Sequence, residues 1–114
     1  MIAVQPLHYR QFVKAFGMPG FLAKAGAKVS LERTGIDLDT KTFMPDVPRI
    51  AVPTLVLQNR NDPWTDLDFV QAYYEALDVE KDLVWLDLDK SRAAAYDDLG
   101  AHPERLTEFF GRYL

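Results

Sequence analysis

Three stretches of the chain have the apolar pattern of β-strands. Residues 1–6 (MIAVQP) begin apolar and stop at a proline, as a short buried strand would. Residues 54–58 (TLVLQ) are almost wholly apolar, and residues 82–88 (DLVWLDL) form the third stretch. A continuous apolar run indicates that both faces of a strand are covered, which is typical of a parallel sheet.

Helical periodicity fills most of the chain between and after these strands. Residues 9–25 carry apolar side chains at helical spacing, and GMPG at residues 17–20 divides them into two short helices. Residues 26–50 carry Gly35, Pro45 and Pro48 among scattered apolar positions, which predicts a covering loop with room for one short helix.

Two further helices are predicted in the second half of the chain. Thr65 is the expected N-cap of one, with Asp68 three residues on, and its apolar face is Phe69, Tyr73 and Leu77. The other begins near Pro103, in the first turn that proline tolerates. Its apolar face comprises Leu106, Phe109, Phe110 and Tyr113.

The order strand, helices, strand, helix, strand, helix predicts an α/β fold with right-handed crossovers. We expect a short parallel sheet of about three strands with helices on both faces. The strands should lie side by side in chain order, with the Thr65 helix on one face and the last helix on the other.

Composition narrows the function classes. A chain of 114 residues with 48 % apolar and 26 % charged residues fits one globular domain. The net charge of −4 argues against nucleic acid as a partner, and no run approaches the roughly 20 apolar residues of a membrane span. The absence of cysteine removes disulfides and thiolate chemistry, and with a start that lacks a basic leader it favours a cytoplasmic location. No cofactor is expected.

The elbow after the second strand is the strongest candidate for chemistry. In VPTLVLQNRNDPW, residues 52–64, Asp62 follows the strand in a turn that Pro63 ends. Reactive groups collect at the carboxyl ends of strands in parallel sheets. Asp62 is therefore either a catalytic acid or a residue that supports the turn, since Asn-Asp-Pro is good turn chemistry.

This elbow resembles the strand that carries the catalytic acid in α/β-hydrolases, where Val-Pro-Thr leads to an Asp before a proline. The helix, the strand LVWLDL and the last helix opening with His-Pro-Glu resemble the end of that fold, in a bacterial dienelactone-hydrolase-like and peptidase-like subgroup. The resemblance is closest over residues 50–114. It implies that residues 1–49 are a preceding strand and a lid-like helical insertion, and that the whole chain is a single partial domain.

The resemblance also implies a catalytic serine in a Gly-x-Ser-x-Gly elbow, and this sequence has none. Its serines, Ser30 and Ser91, lack flanking glycines. The family's nucleophile would lie before Met1, which suggests the C-terminal segment of a longer protein, a truncated descendant, or a start codon assigned too late.

Lys90 occupies the place after the last strand where the family has its histidine. A lysine of ordinary pKa, about 10.4, is protonated at neutral pH and cannot act as a general base. We expect it to form a structural ion pair with Asp62 instead. Two histidines are alternatives for the base: His8, after the first strand, and His102, which is better suited to the start of the last helix.

Other side chains at this edge have weaker signals. Arg92 and Tyr96 would suit a substrate carboxylate or phosphate, although a solvated loop explains them as well. Trp64 either packs or lines the mouth of a pocket. The two histidines, His8 and His102, are not at the short spacing typical of metal ligands, so no metal site is predicted.

Two functions follow. The first is hydrolysis of an ester, lactone or amide at the level of the family, with Asp62 as the acid and the isolated chain inactive. The second is a non-catalytic interaction module that pairs through an exposed sheet edge at residues 1–6, either as a homo-oligomer or with a separate N-terminal hydrolase half.

Overall fold

The computed structural model describes residues 1–7, 9–38 and 42–113. Within them lie three strands, five α-helices and a 3-10 helix over Met44–Arg49. The strands are β1 (Ile2–Val4), β2 (Thr54–Asn59) and β3 (Lys81–Leu86). The helices are α1 (Tyr9–Ala15), α2 (Gly20–Thr34), α3 (Leu67–Ala76), α4 (Ala94–Ala101) and α5 (Glu104–Tyr113).

The three strands form a parallel sheet in the order β1-β2-β3, which confirms the predicted α/β architecture. Ile2 lies opposite Leu55, and Leu55 lies opposite Asp82. β2 is the central strand, and every one of its six residues is buried. The nearly unbroken apolar run in its sequence therefore reflects burial on both faces.

Alternate residues of β2 face two separate clusters. Val56 packs with Val70, Tyr73 and Leu77 of the α3 side. Leu55 and Leu57 pack on the other face with Ala95 of α4 and Phe109 of α5. The period of two in a strand thus places α3 and α5 on opposite faces, as expected from the order of the elements.

The helices before β2 differ in part from the prediction. The break at GMPG is confirmed, since α1 ends at Ala15 and α2 begins at Gly20. The loop predicted for residues 26–50 is wrong over its first part, because α2 continues to Thr34 and ends at Gly35 in the left-handed conformation (φ 74°). Only Ala27 of α2 is buried, so this helix has no broad apolar stripe facing the core.

The start of α3 also differs from the prediction. Asp66, not Thr65, is the N-cap, and its carboxylate accepts a hydrogen bond from the Asp68 amide at 2.9 Å. Thr65 instead directs its hydroxyl to Asp62. Both residue types are good caps, and the competing acceptor on Asp62 decides between them.

The segment between β3 and α5 was predicted as a loop and contains α4. Ala95 of this helix is fully buried against the sheet. The apolar face predicted for α5 is confirmed: Phe109 is buried, and Leu106, Phe110 and Tyr113 pack around the same cluster. None of the helices in the described ranges combines the length and the hydrophobicity needed to cross a bilayer.

Candidate functional site

The elbow after β2 is built by the side chain of Asn59, the last residue of that strand. Its Oδ1 accepts hydrogen bonds from the amides of Asn61 and Leu88, each at 3.1 Å. Its Nδ2 donates to the Asp89 carbonyl at 2.9 Å. One buried carboxamide therefore joins the elbow to the segment that follows β3.

Asp62 lies in this elbow with its side chain completely buried. Its Oδ1 accepts the Trp64 amide at 3.0 Å. Its Oδ2 accepts the Thr65 hydroxyl at 2.6 Å and Arg92 Nη1 at 2.9 Å. Both carboxylate oxygens are thus engaged by donors from within the chain.

Arg92 links Asp62 to the end of β1. Its Nη2 donates to the Gln5 carbonyl at 3.1 Å, and Gln5 Nε2 donates in return to the Arg92 carbonyl at 2.7 Å. The guanidinium also lies over the Trp64 ring, 5.4 Å from its centroid. This group of four residues, here called the Asp62–Arg92 clamp, comprises Asp62, Arg92, Gln5 and Thr65.

The clamp has the chemistry of a structural ion pair. A triad acid acts by accepting a hydrogen bond from the imidazole that serves as the base. In the clamp, the oxygens of Asp62 receive an arginine, a hydroxyl and an amide. Histidine, aspartate and glutamate side chains of the described residues form no group of three or more that could hold a metal ion.

The predicted ion pair between Lys90 and Asp62 is wrong. Lys90 is exposed, and Arg92, two residues later, makes the pair. The hydrogen bonds between Asn59 and residues 88 and 89 hold that segment against the elbow. In the turn that follows, the Ser91 amide donates to the Asp89 carbonyl at 2.7 Å, and this turn directs Arg92 toward Asp62.

His102 does not contact Asp62. Its Nδ1 lies 2.9 Å from Glu104 Oε1, and its Nε2 lies 3.8 Å from Asp98 Oδ1. The pKa of the Glu104 carboxyl is lowered, first by a hydrogen bond from the Glu104 backbone amide to its own carboxylate and second by the hydrogen bond with His102. His102 therefore belongs to the junction of α4 and α5. His8 lies outside the described residues.

The remaining predicted residues lie in two places. Trp64 contacts Phe12 of α1 and Phe16 just after it, with its ring centroid 5.9 and 4.9 Å from theirs. It also lines a groove of about 560 Å³ together with Lys14 and Asp66. Tyr96 is 47 % exposed, and its hydroxyl lies 3.4 Å from the Val4 carbonyl at the edge of β1. Asp62, Arg92 and Trp64 therefore meet, whereas Lys90, His102 and Tyr96 do not join them.

Three buried amide side chains at the ends of the strands were missed: Gln5, Gln58 and Asn59. Gln5 follows β1 with φ of 49°, and Gln58 lies one residue beyond the partner of Val4. Within the described ranges, Gln5 Oε1 and Gln58 Oε1 are buried without a hydrogen-bond partner. The sequence signal that could have found them is an amide residue at the end of an apolar run. A buried amide side chain usually forms hydrogen bonds, so such a residue indicates a polar contact at the end of the strand.

Comparisons of this chain with protein-family models, with curated proteins and with solved structures found no match.

Proposed function

We propose that this chain is a non-catalytic interaction module whose function is to pair, through the free edge of β1, with a strand from a second copy or from another chain. The observation that carries this proposal is the direction of the backbone groups in β1. The cytoplasmic location expected from composition belongs to the same proposal.

The hydrogen bonds to β2 define which groups of β1 are free. Met1 accepts from the Leu55 amide and Gln5 donates to the Leu57 carbonyl, each at 2.9 Å. In a parallel ladder, alternate residues face the same neighbour. Ala3 therefore bonds to β2, while the N–H and C=O groups of Ile2 and Val4 point to the open side.

This edge is suited to strand addition. The sequence of β1 is Ile-Ala-Val, without the charges that usually protect an edge, whereas β3 at the other edge begins with Lys81 and Asp82. Of the outward groups of β1, the Val4 carbonyl is the one that meets a described side chain, the Tyr96 hydroxyl. An incoming strand would pair with the others.

Proline at Ile2 is expected to abolish this pairing and leave the sheet intact. It removes an N–H that faces the open side, at the first residue of an edge strand, where proline is tolerated. Light scattering at about 1 M salt, where the Debye length is about 3 Å, is expected to give a dimer for the unchanged chain and a monomer for Ile2→Pro.

Ala3→Pro is the matched control for this variant. It removes an N–H that bonds to β2 and should lower the stability of the fold itself. A stable monomer of the unchanged chain at micromolar concentration would argue strongly against the proposal.

A second candidate is family-level hydrolysis of an ester, lactone or amide. The position of Asp62, buried in an elbow beyond the central strand, favours it. The nucleophile and the base would then come from elsewhere, as the hydrolase resemblance implies. An in-frame Gly-x-Ser-x-Gly upstream of Met1 would support this candidate.

The isolated chain is expected to have no esterase activity under either candidate, because hydrolysis needs a nucleophile, a base and oxyanion donors. The measurement is turnover of a p-nitrophenyl ester by purified protein, with Asp62→Asn as the matched variant. Turnover that disappears in Asp62→Asn would contradict both the proposal and the structural role of Asp62.

A further inference from the structure

The α1–α2 segment, residues 9–36 and here called the hairpin, carries most of the exposed apolar surface. Eight of the 13 exposed large hydrophobic residues in the described ranges lie within it, including Phe21, which is 72 % exposed. On α2, Phe21, Ala25 and Val29 are four residues apart and share one helical face, with Leu22 beside them. Ala23 and Ala27 face the opposite side, where Tyr9 of α1 donates to the Ala23 carbonyl at 3.0 Å.

The hairpin is also basic in an otherwise acidic chain. Residues 1–36 contain five Lys or Arg and a single acidic residue, Glu32, whereas residues 37–114 contain eight basic and 16 acidic residues. The side chains of Lys24 and Lys28 flank the apolar face of α2, and that of Lys28 is 78 % exposed. Packing two hairpins face to face would bring like charges together, so the partner of this surface should be acidic.

The chain presents such a surface itself. A groove of about 650 Å³ lies between the end of β3 and α4, and it is here called the acidic groove. Its carboxylates are Asp87, Asp89, Asp97 and Asp98, and Leu88 and Ala94 supply apolar lining. Arg60 pairs with Asp87 and Arg105 with Asp98, while Asp89 and Asp97 form no ion pair with any described residue.

The surface area is in keeping with an unfilled protein interface. The chain exposes 7111 Å², against about 6,300 Å² expected for a compact monomer of its mass. The excess of about 800 Å² is close to one partner's share of a standard interface. The radius of gyration of 15.9 Å likewise exceeds the roughly 13 Å of a compact domain of this length.

We infer that the hairpin of one copy docks on the acidic groove of a second copy. Its apolar face would cover Leu88 and Ala94, and its lysines would meet Asp89 and Asp97. The two surfaces differ, so the contact is heterologous, and each copy can give one hairpin and receive another. This contact is independent of the β1 edge.

Charge reversal with mixing tests the contact, and Ile2→Pro chains remove edge pairing from the measurement. Lys24→Glu with Lys28→Glu reverses the hairpin, and Asp89→Lys with Asp97→Lys reverses the groove. Either double variant alone should associate at least about tenfold more weakly at low salt, because like charges then meet. An equimolar mixture should recover the original affinity to within about threefold, since both contacts become complementary again.

Sedimentation velocity measures the association, and circular dichroism confirms that each variant is folded. Arg49→Glu, at an exposed cation that belongs to neither surface, is the control and should leave the affinity unchanged. If Ile2→Pro does not fold, the same mixture is measured in chains with β1 unchanged, where the readout is association beyond the edge dimer.

Two results would overturn the inference. One is a folded Ile2→Pro chain that stays monomeric at about 100 µM and low salt, or a mixture that recovers no affinity. The other is a chain that does not self-associate but binds vesicles containing phosphatidylserine, with that binding abolished by Lys24→Glu with Lys28→Glu. The hairpin would then be a membrane-binding surface. A monomeric Ile2→Pro chain leaves the β1-edge proposal intact, because that proposal is tested separately by comparing Ile2→Pro with the unchanged chain.

Discussion

Replacing Arg92 with alanine is expected to lower the free energy of unfolding by about 3–5 kcal/mol. The Asp62 side chain has no solvent exposure, and Arg92 Nη1 lies 2.9 Å from its Oδ2. Without the guanidinium, the buried carboxylate keeps the Thr65 hydroxyl and the Trp64 amide as neutral donors. Urea denaturation followed by circular dichroism measures the difference.

The loss should exceed that of an isolated ion pair because Arg92 also fixes the end of β1. Its guanidinium donates to the Gln5 carbonyl at 3.1 Å. Gln5 has a positive φ of 49°, which is uncommon for a residue with a side chain. The contacts of the clamp hold Gln5 in that conformation, so truncating Arg92 should also loosen β1.

Lys90→Ala is the matched control for Arg92→Ala. Lys90 lies two residues away, is exposed and makes no ion pair with Asp62, so its truncation should change stability by less than about 0.5 kcal/mol. The double variant Asp62→Ala with Arg92→Ala should lose less than the sum of the single losses, because neither charge is then left buried alone. A Lys90→Ala loss larger than that of Arg92→Ala would contradict the assigned pair.

The sheet was predictable because its strands are defined by local pattern alone. β2 is apolar on both faces since each face packs a different cluster, and its run of residues 54–58 shows this directly. The parallel order followed from the helices between the strands, since a crossover is needed to join parallel neighbours. Strand bounds differ by one or two residues, as for β3, which begins at Lys81.

The missed helical segments share a physical cause. Residues 26–34 of α2 and the helix α4 each bury a single side chain, Ala27 and Ala95 respectively. A helix segment that buries only one alanine completely needs no broad apolar stripe facing the core, so its sequence carries little periodic signal of that packing. Where the core determined a helix face, as with Phe109 of α5, the prediction was correct.

The candidate site was predictable in position and not in its contacts. A carboxylate beyond the central strand follows from the elbow sequence, and the structure places Asp62 there. The cation that pairs with it depends on the path of the segment after β3, which long-range hydrogen bonds from Asn59 determine. Local sequence therefore could not decide whether Lys90 or Arg92 is the cation that pairs with Asp62.

Asn59→Ala is expected to destabilise the fold by roughly 2–4 kcal/mol, with the elbow affected first. Asn59 is fully buried, and its side chain serves the amides of Asn61 and Leu88 and the carbonyl of Asp89. Alanine leaves these three backbone groups without their partner, and each unsatisfied buried group costs about 1–3 kcal/mol before relaxation. Hydrogen exchange should show faster exchange at the Leu88 amide, together with a lower midpoint in urea.

Asn61→Ala separates the role of Asn59 from a general effect of losing an amide in the elbow. The Asn61 side chain is exposed and donates one hydrogen bond, to the Leu88 carbonyl at 2.8 Å. Its loss should cost less than about 1 kcal/mol, because water can replace that bond. Asn59→Ala should also displace Arg92 from Asp62. The double variant Asn59→Ala with Arg92→Ala should therefore lose less free energy of unfolding than the sum of the two single losses. Full additivity would mean that Asn59 does not position the clamp.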